Sequence, residues 1–305
     1  MPNCKTIAIC NQKGGVGKTT TCVNLAAALT EAGQRILLCD FDPQANSTSG
    51  MGVDKTVSKG IYDALIGEVP VEDALVHTKY GDVLPSNKAL AGAGIELIGM
   101  ERREFLLRDA LDKVKDRYDF LFIDCPPSLE LLTLNALCAA DAILVPVQGE
   151  YYALEGLSDL MNTVRIVRRS LNPRLELDGV LLTMFDGRTN LALQVAEEVK
   201  HYFTQDAVFK GLFHLVETLY GIHIREDHAS VWDPDVKFFR IEDKNGKLIA
   251  QFYFDLYARP TKRGGAWMDG DRTRRLYKGK LDTPVSYQVC NFTKPAPGKT
   301  ATMTH

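Results

Sequence analysis

The sequence of 305 residues predicts an α/β fold: a mostly parallel sheet with helices on both faces, followed by a small α+β segment with a β-meander. Three observations predict it. A glycine-rich loop joins an apolar strand to a helix near the N-terminus. Short apolar runs then alternate with helical patterns, which is typical of right-handed βαβ units. Near residue 204 the character of the sequence changes, which indicates a second segment.

The glycine-rich loop spans residues 11–20 and reads Asn-Gln-Lys-Gly-Gly-Val-Gly-Lys-Thr-Thr. It lies between a predicted strand over residues 6–10 and a predicted helix over residues 18–32. Glycines at such a turn allow backbone N–H groups to surround an anion at the helix N-terminus. We therefore expect a phosphate cradle in preference to a plain glycine-rich turn, with Lys18 on the β- and γ-phosphates. The cradle residues are Gly14, Gly15, Val16, Gly17, Lys18, Thr19 and Thr20.

Carboxylates follow the apolar strands at the points where they end. The strand over residues 35–39 runs into Asp40 and Asp42, and the strand over residues 118–124 closes on Asp124. From spacing alone, the first pair also fits a solvated turn. The carboxyl ends of parallel strands, however, share one edge with the loop, and ligands bind at that edge. The Mg²⁺ ligands expected there are Thr19 and Asp124.

The other elements before residue 204 continue the alternation. An amphipathic helix is predicted over residues 101–117, because its apolar side chains fall on one face. A longer helix is predicted to end near Leu171. The remaining predictions are short helices at 61–66 and 71–75 and strands at 83–85, 142–147 and 179–184.

The loop departs from the usual phosphate-binding pattern, because Gln12 replaces the first glycine and a second lysine, Lys13, follows it. Together with residues 148–157 (Gln-Gly-Glu-Tyr-Tyr-Ala-Leu-Glu-Gly-Leu) and residues 185–191 (Phe-Asp-Gly-Arg-Thr-Asn-Leu), this form resembles the ParA/Soj branch of the deviant Walker-A ATPases. The resemblance implies a P-loop sheet, ATP and Mg²⁺ as cofactors, hydrolysis of ATP to ADP and phosphate, and a role in chromosome or plasmid partitioning.

The same resemblance implies roles for single residues. The catalytic residues would be Lys13, Lys18 and Asp42. Lys13 would reach the phosphates of a second copy in an ATP-dependent homodimer, and Asp42 would position the attacking water. Asp40 would belong to the Mg²⁺ and phosphate environment, as a further metal-site residue. A ParB-like activator and non-specific DNA are the other implied partners. Arg188 matches an arginine used for DNA binding, although an ordinary exposed loop arginine is the alternative, and one phosphate contact, with a salt slope of about −0.9, would not hold DNA alone.

Composition is that of a globular protein, with 45% hydrophobic and 25% charged residues. No apolar run reaches the roughly 18 residues of a membrane span, and no signal-peptide pattern opens the chain. We therefore expect no membrane association and a cytoplasmic location, at the nucleoid if DNA is bound. The seven cysteines lack C-x-x-C spacing, which argues against a disulfide framework and a zinc knuckle.

Residues 205–305 resemble the thimet-oligopeptidase-like zinc metallopeptidases, such as oligopeptidase A. The matching segments are residues 219–222, 231–236, 254–260, 262–269 and 289–293. The predicted elements here are a helix at 208–219, strands at 238–242, 248–257 and 285–292, and a loop at 258–281. The basic residues of that loop fit a solvated surface better than a nucleic-acid site.

A peptidase of this kind needs an H-E-x-x-H helix for its zinc, and the sequence contains none. His214, His223 and His228 fit no ligand spacing, so proteolysis is not expected. We predict a ParA-like ATPase domain without its C-terminal strands over residues 1–204 and an oligopeptidase-like fragment over residues 205–305.

Three other functions stay open. A zinc-peptidase-related protein would carry stoichiometric zinc. A MinD-like membrane ATPase would need a basic amphipathic terminal helix, which residues 290–305 do not supply. An inert fusion product would bind no nucleotide.

Overall fold

The computed structural model describes residues 4–150, 152–200, 205–277 and 279–295. The chain divides into two compact units, residues 1–196 and residues 197–305. Within the described ranges, no helix combines the length and the apolar character that crossing a membrane requires.

A seven-stranded sheet forms the centre of the first unit. Its strands are β1 (Lys5–Ile9), β2 (Ile36–Asp40), β3 (Val76–Thr78), β4 (Gly81–Leu84), β5 (Phe120–Asp124), β6 (Ala142–Gln148) and β7 (Glu176–Thr183). Their order is β3-β4-β2-β5-β1-β6-β7. All neighbouring strands are parallel except β3 and β4. The predicted mostly parallel α/β fold is confirmed.

Helices flank this sheet. The α-helices before residue 201 are α1 (Lys18–Glu31), α2 (Asn46–Gly50), α3 (Ile61–Leu65), α4 (Leu90–Glu96), α5 (Leu106–Leu111), α6 (Leu131–Ala139), α7 (Ala153–Ser170) and α8 (Asn190–Lys200). Short 3-10 helices lie at Val71–Ala74, Leu97–Gly99 and Lys115–Arg117. Cys22 and Ala26 of α1 belong to one buried cluster with Ile9, Leu38 and Phe122, so α1 packs over three neighbouring strands.

The strand register brings three strand ends together. Ile9 pairs with Asp124 on one side of β5, and Asp40 pairs with Asp124 on the other side. The loop after β1 therefore starts beside both carboxylates. β2 is wholly buried, as expected for a parallel strand covered on both faces, whereas β7 at the edge of the sheet is partly exposed along its length.

The helix predicted over residues 101–117 is wrong in its extent. The structure has only α5 and the 3-10 turn Lys115–Arg117 there, and residues 101–105 form turns and a bend. Arg102 has a left-handed φ of 54°, which an α-helix cannot include. The apolar spacing still marks the buried side, since Leu107 and Leu111 are buried.

The amphipathic pattern does not predict α6. Its sequence is apolar on nearly every side, so no helical period distinguishes one face from another. The buried Asn135 fixes this helix, because its Nδ2 donates to the carbonyl of Arg103 at 2.8 Å and its Oδ1 accepts the N–H of Leu107 at 3.1 Å. An amide that looks out of place in an apolar helix thus joins α6 to α5.

The second unit packs one helix on a five-stranded sheet. Its elements are α9 (Gln205–Tyr220), β8 (Ile222–Asp227), β9 (Lys237–Asp243), β10 (Leu248–Tyr257), β11 (Trp267–Arg272), β12 (Arg275–Tyr277), β13 (Lys280–Asp282) and β14 (Val285–Phe292). The sheet order is β11-β14-β10-β9-β8. β9 and β10 form the expected antiparallel hairpin, and β8, which the sequence analysis does not predict, pairs antiparallel with β9. The expectation for the third strand of the meander is wrong, because β14 lies parallel to β10. Phe209 and Phe213 of α9 stack on Phe254.

The loop predicted over residues 258–281 is wrong, because it contains β11, β12 and the start of β13. Every residue of β11 is exposed, so the strand shows no apolar alternation in its sequence. It forms through backbone pairing with β14, with Trp267 opposite Val289. A pattern in the local sequence does not predict pairing with a strand that is remote in the chain.

Asp255 on β10 is the centre of a buried ion cluster. Arg259 donates to both of its carboxylate oxygens at 2.7 Å, Lys262 Nζ donates at 2.9 Å, and Trp232 Nε1 donates at 3.0 Å. Burial alone would raise the pKa of Asp255, but these hydrogen bonds outweigh it and lower the pKa to about 2. The carboxylate is therefore fully satisfied within its own unit.

Candidate functional site

The glycine-rich loop takes its shape from two left-handed glycines. Gly15 has a φ of 75°, and Gly17, which immediately precedes α1, has a φ of 90°. A side chain at either position would be strained. A Cβ placed at Gly14 or Gly15 would meet no atom within 4 Å, so the space beside this part of the loop is open. Backbone N–H groups facing open space at a helix N-terminus form an anion cradle.

Side chains outside the glycine pattern hold this loop in place. Asn11 donates from Nδ2 to the carbonyl of Pro146 at 2.8 Å and accepts the N–H of Lys13 at 3.0 Å. The hydroxyl of Thr183, the last residue of β7, donates to the carbonyl of Val16 at 2.8 Å. Sequence reasoning does not find these supports, because the partners are more than a hundred residues apart in the chain.

Lys18 begins α1 and is buried, with 7% of its surface exposed. Its Nζ donates to the carbonyl of Lys13 at 2.9 Å, across the loop. Burial lowers the pKa of Lys18, while the nearby carboxylates of Asp124 and Asp42 favour its charged form. The loop therefore holds a positive charge close to two carboxylates.

Asp124 is fully buried, and neither of its carboxylate oxygens has a hydrogen-bond partner among the described residues. Burial, followed by the charge of Asp40, raises the pKa of Asp124 to about 7, and the nearby hydroxyls of Thr19 and Ser47 oppose this rise. A buried polar group without a partner calls for an explanation. A cation bound beside Thr19 would supply the missing partner, because hydroxyl and carboxylate oxygens are the ligands of Mg²⁺.

Asp40, next to Asp124 in the register, is already satisfied. It accepts the N–H and the hydroxyl of Thr48 at 2.7 and 2.6 Å and the N–H of Asp42 at 3.2 Å. Burial raises the pKa of Asp40, and these hydrogen bonds oppose the rise. Its carboxylate ties α2 to the end of β2, which favours Asp124 over Asp40 as a direct cation ligand.

A cavity of about 730 Å³ opens beside the loop. Asp42 contributes to its wall, and Thr183 and Met184 bring the end of β7 to it. Asp42 accepts the N–H of Gln44 at 2.9 Å, which orients the carboxylate. The cavity thus unites many of the predicted site residues, namely Gly14, Gly15, Gly17, Lys18, Thr19, Thr20 and Asp42.

Lys13 faces a different neighbour. Its Nζ forms an ion pair with Glu150, in the segment that follows β6. Both side chains are partly exposed, so the pair contributes little to stability. Sequence reasoning assigns Lys13 to a second copy of the chain and does not find Glu150, the acidic group that neutralises Lys13 within the single chain.

Arg188 lies in the loop after β7 and is 90% exposed. Its Nε and Nη2 donate to the carboxylate of Asp186 at 2.8 and 2.7 Å, and this hydrogen bonding raises the pKa of Arg188. The guanidinium therefore already has an anionic partner two residues away.

The geometry fits a nucleotide with a divalent cation. The cradle suits phosphates, and the volume is in the usual range of roughly 300–1,000 Å³ for a small-molecule site. In the described ranges, no group of three or more His, Cys, Asp or Glu could hold a metal ion by itself. The cation would therefore share its coordination among Thr19, Asp124, phosphate oxygens and water.

Known proteins match the same part of the chain. Residues 4–177 match the family described as AAA domain. The chain is 56% identical over 209 residues to the sporulation initiation inhibitor protein Soj of Bacillus subtilis, covering 68% of this chain and 82% of that protein. It is 54% identical over 202 residues to the chromosome partitioning protein ParA of Myxococcus xanthus, covering 65% and 71%.

The chain belongs to the ParA/Soj family. A solved structure with the same fold is cobyrinic acid a,c-diamide synthase from Mycobacterium smegmatis, which holds an ATP analogue and magnesium. Its sequence identity to this ParA/Soj-family chain is 41%, its TM-score is 0.63, and the match covers 66% of this chain and 81% of that protein.

A second family model, described as Peptidase family M3, matches residues 167–305, which is less than half of the chain. The two matches overlap over residues 167–177. The M3 match includes the segment whose sequence resembles the zinc oligopeptidases.

Proposed function

We propose that this ParA/Soj-family chain binds ATP with Mg²⁺, hydrolyses it to ADP and phosphate, and acts in chromosome or plasmid partitioning in the cytoplasm. The carboxylate of Asp124 carries the proposal, because a cation bound beside the phosphate cradle accounts for its burial without a partner. The names of the Soj and ParA relatives support the partitioning role.

Each predicted site residue has a proposed role. The backbone of the cradle binds the phosphates, and Lys18 offsets their charge. Thr19 and Asp124 hold the Mg²⁺ ion, and Asp40 supports them through the strand end. When bound, the ion neutralises charge that develops on the phosphoryl group. Asp42, on the cavity wall, positions the attacking water, which is sufficient for a reaction that depends mainly on placement and charge.

The proposal includes an ATP-dependent homodimer in which Lys13 contacts the phosphates held by the second copy. Dimerisation would replace the exposed pair with Glu150 by a phosphate contact, and the small stability of that pair makes the exchange easy. A ParB-like activator and non-specific DNA, with Arg188 as one contact, are the other proposed partners. DNA binding would place the protein at the nucleoid.

We also propose that residues 205–305 are an oligopeptidase-like fragment joined to the ATPase domain near residue 204. The match to Peptidase family M3, which begins at residue 167, supports the peptidase resemblance of this segment, and the chain divides into its two compact units after residue 196. Without an H-E-x-x-H motif, the fragment has no zinc-peptidase activity. Limited proteolysis with mass spectrometry tests the boundary: early cleavage near residue 204 supports it, and uniform degradation of residues 1–204 contradicts it.

A thermal-shift titration with Mg-ATP tests nucleotide binding. At a hundredfold excess over Kd, ATP should stabilise the wild-type protein by about 2.7 kcal/mol. Lys18→Ala should lose most of this shift. Lys88→Ala is the matched control, because it removes an exposed lysine of the same unit that does not line the cavity.

The outcomes distinguish the alternatives. No shift in the wild-type protein would contradict ATP binding and support an inert fusion product. Equal shifts in the wild type and in Lys18→Ala would contradict the cradle assignment. Asp42→Ala should keep the shift and lose phosphate release, which separates binding from hydrolysis.

Light scattering after size-exclusion chromatography tests the dimer. Asp42→Ala should form a dimer with Mg-ATP, because slow hydrolysis preserves the ATP-bound state. Adding Lys13→Ala to that variant should restore the monomer. A dimer that persists without Lys13 would contradict the assigned role of this lysine.

A further inference from the structure

Helix α7 and the turn that follows it carry a basic surface on an acidic unit. Between Asp159 and Glu176 the chain has four arginines and no acidic residue. These four, all exposed, form what we call the arginine patch: Arg165, Arg168, Arg169 and Arg174. Residues 1–204 contain 20 Lys and Arg against 27 Asp and Glu, so the patch does not reflect a generally basic composition.

Three patch arginines line one concave surface. Arg165, Arg168 and Arg169 bound a groove of about 490 Å³ together with Met161, Val164 and Pro173. Arg165 and Arg169 are one helical turn apart, about 6 Å along the helix axis. The groove therefore presents several guanidinium groups within a short distance.

The arginine patch has few partners within the chain. In the described ranges no ion pair reaches any of its members, and its one side-chain hydrogen bond runs from Arg165 Nη1 to Asn162 Oδ1 at 2.8 Å. Arg188, in contrast, donates twice to Asp186. Basic residues in the last turn of α7 interact favourably with the negative end of the helix dipole, which partly explains the presence of Arg168 and Arg169. It does not account for the arginines on either side of them.

We propose that the arginine patch binds the sugar-phosphate backbone of duplex DNA, at a site separate from the ATP cavity. Arginine is always charged and its planar group binds phosphate in a bidentate manner. Such contacts orient a duplex without reading its sequence. The inference rests on the DNA-binding part of the proposed function, and it supplies the several phosphate contacts that Arg188 alone does not.

A membrane surface fits the arginine patch less well than DNA. Binding to anionic lipid by a helix requires an apolar face that enters the bilayer beside the charges. The apolar residues Leu157, Leu160, Val164 and Val167 of α7 are at most 3% exposed. Ile166, at 65%, is the large apolar residue of the helix that reaches solvent. The face that would enter a bilayer is thus already buried in the protein.

Counterion release sets the size of the expected effect. Each arginine–phosphate contact contributes about −0.9 to the slope of log K against log salt concentration. The three groove arginines together account for a slope of about −2.7. Their loss should weaken DNA binding on the order of 10²-fold near 0.1 M salt.

Fluorescence anisotropy with a labelled duplex of random sequence, over a series of salt concentrations, tests the proposal. The variant is the triple substitution Arg165→Gln, Arg168→Gln and Arg169→Gln. The matched control is Lys59→Gln, Lys88→Gln and Lys113→Gln, which removes three exposed charges elsewhere in the same unit. We expect the control to keep the wild-type slope and the patch variant to lose about 2.7 from it.

Several results would overturn the proposal. The patch variant could keep the wild-type slope, or the wild-type protein could fail to bind the duplex at low salt. Binding of phosphatidylserine vesicles that needs the arginine patch, without DNA binding, would assign the surface to membranes. The thermal midpoint of each variant checks its folding, and its Mg-ATP shift shows whether the nucleotide function stands independently of the DNA result.

Discussion

Asp124 in the first unit and Asp255 in the second are both buried aspartates on β-strands, with 0% and 4% exposure. Asp255 accepts hydrogen bonds from Arg259, Lys262 and Trp232. Asp124 forms no hydrogen bond of ordinary geometry among the described residues, and its polar neighbours are the hydroxyls of Thr19 and Ser47 and the ammonium of Lys18. Burial pushes the pKa of both groups upward, but the donors around Asp255 lower its pKa to about 2, whereas that of Asp124 rises to about 7.

The different surroundings of the two aspartates distinguish a carboxylate that stabilises the fold from a carboxylate that is suited to binding a ligand. A buried carboxylate that is surrounded by cations of its own unit is compensated when the unit folds. A buried carboxylate that forms no ion pair, such as Asp124, gains further compensation from a cation that binds next to it. Both aspartates follow a run of apolar residues, Phe-Leu-Phe-Ile before Asp124 and Phe-Tyr-Phe before Asp255, so the local sequence does not separate the two cases.

The largest effect is expected for Asp255→Asn. It leaves the buried charge of Lys262 without its anion and removes the main partner of the partly exposed Arg259, which should destabilise the second unit by about 3–5 kcal/mol. Both tryptophans of the chain lie in that unit, so tryptophan fluorescence during denaturant unfolding reports on it. Glu226→Gln, which breaks an exposed pair with Lys237, is the control and should cost less than about 1 kcal/mol. Equal losses would contradict the comparison.

In the wild-type protein, acid should remove the stability that the ion cluster around Asp255 contributes. Because the pKa of Asp255 is lowered from 3.8 to about 2, its contribution is complete above the unfolded-state value and is lost as the pH falls through about 2. The expected loss is about 2 kcal/mol, measured by fluorescence-monitored unfolding over this range. The difference between the wild type and Asp255→Asn should shrink in parallel, and a constant difference would refute the assigned cause.

Asp124→Asn should raise the stability of the protein near neutral pH, whereas Asp255→Asn lowers it. The raised pKa of Asp124 means that stability is greatest below its unfolded-state pKa near 3.8 and is lost as the pH rises through about 7. Without nucleotide, calorimetry at about pH 8 should therefore show the variant to be more stable than the wild type. Its Mg-ATP shift should fall. Destabilisation of the nucleotide-free variant at that pH would show that Asp124 has a structural partner.

The smallest effect on stability is expected for Thr183→Val. This substitution tests whether the loop beside Asp124 depends on contacts with the edge strand of the sheet. The substitution removes the donor to the carbonyl of Val16 and should cost about 1 kcal/mol, with weaker binding of Mg-ATP. Thr163→Val removes a similar hydroxyl bond on the exposed side of α7 and should leave binding unchanged. Equal nucleotide affinities in the two variants would exclude Thr183 as a support of the cradle.

Several parts of the site were predictable because short segments encode them. Glycines before Lys18 favour a left-handed turn into a helix, and an aspartate that closes an apolar strand lies at the ligand-binding edge. The structure brings Lys18, Thr19 and Asp42 to one cavity. The helix predicted over residues 101–117 is too long for a related reason. The spacing of apolar residues indicates which side is buried, but it does not reveal the left-handed turn at Arg102.

The sequence alone determined three features of this protein: the sheet class, the phosphate loop and the carboxylates at the strand ends. Each of them depends on the backbone over a few neighbouring residues. The fold adds the partners: Asn11 on Pro146 and Thr183 on Val16 meet across 135 and 167 residues. Whether a buried aspartate is satisfied depends on such remote donors, and these are placed by the order of the strands. For this reason only the tertiary structure distinguishes Asp124, which forms no ion pair among the described residues, from Asp255, which pairs with Arg259 and Lys262.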